Sequence, residues 1–194
     1  MRYFLFFISV LIISPSFTQE FNGQNACLSD EEYRLYELIN EYRKEKDLPA
    51  IPLSYSLCYV AAAHAWDLQV NQPEGGRCNM HSWSDKGPWS GCCYTEDHKK
   101  AECLWTKPSE LTDYDDFGYE IAYYSSKTVD QHIDIALAAL KGWKDSPGHN
   151  HMIINKYGWK RMKWNAIGIG IYGNYALIWF GEEKDPVGRP ELCP

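Results

Sequence analysis

No apolar run in this chain approaches the ~20 residues that a membrane-spanning helix needs, and no block of basic residues interrupts a formal charge of -7. The first absence argues against a span in the mature chain. The second makes nucleic acid and anionic membrane surfaces poor partners, because both are held mainly through basic patches. No Asn-x-Ser/Thr sequon occurs, so the usual N-glycan acceptor is missing. The Gly-x-Ser-x-Gly elbow that presents a serine nucleophile is also absent. No two cysteines stand at the roughly two-to-four-residue spacing typical of structural zinc sites.

Residues Met1 to Thr18 read as a secretory signal peptide. Arg2 supplies the positive end, Tyr3 to Ile13 the apolar core, and Ser16-Phe17-Thr18 a small-residue cleavage site. Residues 19–194 then make one domain, long enough for a substantial core. In a secreted chain, seven cysteines imply disulfides with one cysteine left over. Spacing leaves the pairing open. A Cys27–Cys193 bridge would clamp the two ends, and the Cys92–Cys103 segment is expected to contain at least one bridge end. Zinc held by Cys92, Cys93, His98 and Cys103 is the disfavoured alternative. Aromatic residues make up 15% of the chain, which suits a carbohydrate- or lipid-contacting surface as well as a plain core.

Ser29 and Glu32 have the spacing of a capping box. Leu35, Leu38, Ile39 and Tyr42 follow at helical intervals, which predicts a helix over 30–46. Leu57, Val60, Ala61, His64, Ala65 and Leu68 share one face of a second helix over 54–71. His64 sits on that apolar stripe and reads as a core histidine with one satisfied nitrogen rather than a ligand. Residues 83–117 form a cysteine-rich insertion without regular periodicity, pinned by its cysteines. Val129, Ile133, Ala136, Leu137, Leu140 and Trp143 mark a third helix over 128–143. Strands are expected near 166–172 and 175–180 around the hairpin pair Gly173-Asn174. Ile121 to Tyr124 suits another strand, with Glu120 at one end.

Three short motifs carry the chemistry: Cys78-Asn79-Met80-His81-Ser82-Trp83, Gly118-Tyr119-Glu120-Ile121-Ala122, and Ser146-Pro147-Gly148-His149. In the last, Ser146 is placed to cap and Pro147 to open a helix over 147–155. His149 then falls in its first turn, where the positive dipole end favours the neutral, ligating imidazole. His151 faces the opposite way, because i and i+2 lie about 200° apart on a helix.

In this order the motifs resemble the CAP superfamily (SCP/TAPS: cysteine-rich secretory proteins, venom antigens and pathogenesis-related proteins), nearest its SPGH-containing bacterial-type branch. LINEYRKEKDLPAIPLS is similar to that family's first helix and loop, with Asn40 and Arg43 at recurring positions read as structural. The resemblance implies an α+β fold, a three-layer α-β-α sandwich with a small antiparallel sheet. It implies a cleft of His81, Glu120 and His149, with Ser146 where the family carries a second glutamate. His81 and His149 would bind zinc or another divalent metal weakly, and no catalytic residue is assigned. The implied function is a secreted, non-catalytic module with a surface or groove for a lipid, sterol or extracellular protein partner. Two alternatives stand beside it: a metal-dependent hydrolase or protease using His81, Glu120 and His149, and a disulfide-stabilised interaction protein acting through residues 83–117.

Overall fold

Three strands, β1 (Gly118–Tyr124), β2 (Ala166–Tyr172) and β3 (Tyr175–Gly181), pair antiparallel in the order β1-β3-β2. The computed structural model describes residues 27–126 and 134–194. The expected signal peptide lies outside the described residues, as do Val129 and Ile133 of the expected third helix. Gly173 turns the β2–β3 hairpin with φ 57°, a left-handed backbone that glycine adopts without a Cβ clash. Along β3 the side chains alternate. Ala176, Ile178 and Phe180 enter one apolar layer, while Tyr175, Leu177 and Trp179 enter the opposite one. Both faces are therefore covered, and each large side chain buried contributes roughly 1.5–3 kcal/mol.

One face is covered by α2 (Tyr55–Asn71), whose first free amides are capped when the Ser54 hydroxyl accepts from the Leu57 N–H. The other is covered by α1 (Asp30–Lys44) and α5 (Ile135–Asp145). The capping box on α1 forms as expected, and the same Glu32 carboxylate accepts from the Ile171 N–H of edge strand β2 at 2.9 Å. Helix α5 starts at an Asp134 cap and runs on past Trp143 to Asp145. The chain then turns into α6 (Pro147–Ile153), shorter than the expected 147–155. These layers make the three-layer α-β-α sandwich.

Asn40 donates to and accepts from the backbone of Ile51. Buried Arg43 donates from Nε to Pro49 O and from Nη1 to Ile153 O and Asn155 Oδ1. Both residues are structural. Arg43 in particular ties α1 to the C-terminal end of α6, whose last carbonyls have no helical partner.

The insertion is not all loop. It contains α3 (Glu102–Trp105) and α4 (Lys107–Leu111), and two bridges, Cys78–Cys93 and Cys92–Cys103, pin it. Its cysteines are thus consumed, which removes the Cys92/Cys93/His98/Cys103 zinc alternative. The buried Lys107 ammonium donates to Ser90 O and the Glu110 carboxylate, and it lies 5.3 Å from the Trp83 ring. A third bridge joins Cys27 to Cys193. Cys58 is the cysteine left over. It is buried, and burial pushes its thiol up to about 12, so no reactive thiolate forms at neutral pH. Among the described residues no helix is long and apolar enough to cross a membrane.

Candidate ligand-binding cleft

Glu120 lies inside β1, opposite Trp179 of β3, rather than at the strand's end. Its side chain is fully buried, and both oxygens are engaged. Oε2 lies 2.5 Å from His64 Nδ1, and Oε1 lies 2.8 Å from His81 Nδ1. Burial pushes this carboxyl up. The charge and hydrogen bond of His64, then those of His81, outweigh it and hold Glu120 below its ordinary range.

His64 is a core residue, as its apolar stripe suggests, but both of its nitrogens are satisfied. Nε2 donates to Ser82 O at 2.9 Å. The ring also stacks on Trp83, with centroids 4.2 Å apart and planes 9° from parallel. His81 is set by its loop. Its N–H donates to Asn79 Oδ1, the Cys78–Cys93 bridge closes the segment behind it, and Trp83 and Cys92 exchange backbone hydrogen bonds ahead of it.

His81 and Glu120 border a cavity of about 400 Å³. Its polar side carries His81, His98 and His149 with Tyr94, whose hydroxyl bonds His98 Nδ1 at 2.9 Å. Its apolar side carries Trp105, Tyr119 and Trp159, over Leu104 and Met152. Tyr119 lies at the centre of that wall, 5.6 Å from the Trp105 ring and 5.3 Å from Trp159. His149 stands in the first turn of α6. Burial, and then the neighbouring His81, push its imidazole below the ordinary value.

Ser146 departs from expectation. It takes the cap position with an extended backbone, but its hydroxyl makes no capping bond and it is not among the residues lining the cavity. His151 points elsewhere, its ring 4.2 Å from that of Tyr157. The sequence reading missed His98, Tyr94 and Trp105 as cavity residues because the insertion that delivers them has no periodicity. It also missed the His64–Glu120 pair. The usable signal was that a histidine on an all-apolar helix face needs a polar partner, and a glutamate in a buried strand needs one too.

Among the described residues no group of three or more His, Cys, Asp or Glu side chains is placed to hold a metal ion. A cation in this cleft would rest on His81 and His149. Neutral imidazoles backed by a carboxylate are ordinary zinc chemistry, and Glu120 stands behind His81 in that orienting position.

The model of the cysteine-rich secretory protein family, CAP, matches residues 36–176. The chain belongs to the CAP family. Solved structures agree on the fold. An extracellular SCP-domain protein of Bacillus anthracis is similar at a TM-score of 0.53 and 17% identity, over 79% of this chain. The match spans only 40% of that protein's length. An outer surface protein of Borrelia burgdorferi gives 0.52 and 17%, over 80% of this chain and 94% of that one. Comparison with curated proteins finds no match. At such identities the structures speak for the fold alone. The CAP chain's cleft has to be interpreted from its own residues.

Proposed function

We propose that this CAP chain is a secreted, non-catalytic binding module. Its cleft takes a small, largely apolar ligand against Trp105, Tyr119 and Trp159, and a divalent cation such as zinc at His81 and His149. The observation that carries this reading is the full engagement of Glu120 by His64 and His81. A carboxylate buried and bonded at both oxygens is not free to activate water, and Ser146 does not border the cavity to replace it. The insertion supports the same reading, since Tyr94, His98 and Trp105 face the cavity instead of forming a separate docking surface. Disulfides and the extracellular SCP-domain neighbour support secretion.

Calorimetry with zinc chloride near pH 7.5 tests the cation site. Weak binding is expected, abolished in His81→Ala and in His149→Ala but retained in His151→Ala. The imidazole of His149 is held below the ordinary 6.5, so it stays neutral and ligating into mildly acidic solution. Its share of the affinity should therefore persist through pH 6.5 and fall only below it. Loss of binding in His151→Ala with retention in His149→Ala would refute the assignment. Solvent extraction of the native protein, followed by mass spectrometry, tests the apolar half by recovering a bound hydrophobic molecule.

A further inference from the structure

The partners of His64 determine where its protons lie. A backbone carbonyl only accepts, so His64 Nε2 carries a hydrogen toward Ser82 O. That leaves Nδ1 facing Glu120 Oε2 at 2.5 Å, a distance at which two lone pairs would repel. One proton therefore lies on that line. Whichever of the two atoms carries it, Glu120 Oε1 is left without a hydrogen and can only accept. The flat contact with Trp83 holds the imidazole ring in this orientation.

The consequence reaches His81. Its Nδ1 meets the oxygen that carries no hydrogen, so the hydrogen of that contact belongs to His81. In the neutral ring Nε2 then holds the lone pair, and the ring borders the cavity. We infer that His64 is the positioning residue of the cleft: by anchoring Glu120 it locks His81 as the Nδ1–H tautomer, so this wall presents an electron pair and takes a metal cation or a hydrogen-bond donor rather than a carboxylate. The ligand consequence rests on the binding reading above. The tautomer does not.

Proton-detected nitrogen-15 imidazole spectra of the full chain at pH 7.5 decide the matter without any ligand. His64 is expected with Nε2 protonated, and His81 with a single protonated nitrogen, Nδ1. Added zinc should shift His81 Nε2 and leave Nδ1 in place. His64→Gln keeps one amide donor but not both anchors. It should mix the two His81 tautomers and weaken zinc binding about tenfold, with backbone amide signals otherwise unchanged. A wild-type His81 protonated on Nε2 would overturn the inference, whatever zinc does. So would a His64→Gln protein that keeps the pure tautomer and binds zinc within twofold of wild type. Should that variant fail to fold, the wild-type spectrum still decides. Pure Nδ1–H tautomer without zinc binding would uphold the role of His64 and refute the cation site alone.

Discussion

Glu120→Ala is expected to destabilise the chain by about 3–5 kcal/mol, the usual effect of removing a buried charged group from its hydrogen-bonded partners. At roughly 2–4 °C per kcal/mol for a domain of this size, thermal unfolding should drop by about 6–20 °C. Glu120→Gln should cost much less. The amide carbonyl still accepts from His81 Nδ1–H, and its NH₂ donates to His64 Nδ1 while Nε2 keeps its hydrogen on Ser82 O. The two variants therefore separate the loss of a charge from the loss of a hydrogen-bonding centre. The pH dependence follows from the same group. The folded value of Glu120 lies below its ordinary 4.5, so its stabilisation is fully present above about 4.5 and is lost as pH falls through the depressed folded value. Wild type should lose stability in that acid window more steeply than Glu120→Gln. Equal destabilisation by the two substitutions, or a Glu120→Ala effect under about 1 kcal/mol, would sink the account of Glu120 as the hydrogen-bonding centre of the two histidines.

Local signals carried the fold a long way. Ser29 and Glu32 announce the start of α1, and Pro147 opens α6 where a first-turn proline should. Gly173-Asn174 marks the hairpin. Each feature is decided within a few residues, which is why the chain itself reveals it. The cleft was legible where a motif named a residue: His81, Glu120 and His149 all border one cavity. Ser146 is the exception, because taking a family's position in the chain does not turn a side chain toward the cavity. His64 was seen and underread. Its second bond reaches Glu120 across fifty-six positions of sequence, and no local pattern encodes that contact. The insertion failed for the same reason. Cys78–Cys93 and Cys92–Cys103 hold α3 and α4 where their own short sequences would not, so its structure depends on bridges whose pairing spacing leaves open.

The Ile-Gly alternation of β2, Ile167-Gly168-Ile169-Gly170, yields the sharpest packing test. Ile167 and Ile169 fill the layer under α1 and α5, while Gly168 and Gly170 face α2. A Cβ added at Gly168 would stand 2.1 Å from Leu57 C and 2.2 Å from Leu57 O, and one at Gly170 would stand 2.3 Å from Ala61 C. These are backbone atoms of α2, so no side chain can swing aside, and the helix itself must lift. Gly168→Ala is therefore expected to cost about 3 kcal/mol, the upper end for overpacking. Because α2 also carries His64, the same lift should break the His64–Glu120 contact and mix the His81 tautomers. Gly148→Ala makes the opposite prediction from the same chemistry. A Cβ there meets nothing within 4 Å, and the residue lies in α6, so alanine's better helix propensity should stabilise by up to about 1 kcal/mol. Urea denaturation of the two variants beside wild type reads both signs. An unchanged midpoint for Gly168→Ala would mean that α2 does not rest on β2 at the depth described, and a Gly148→Ala less stable than wild type would mean that the first turn of α6 has no room for a methyl group.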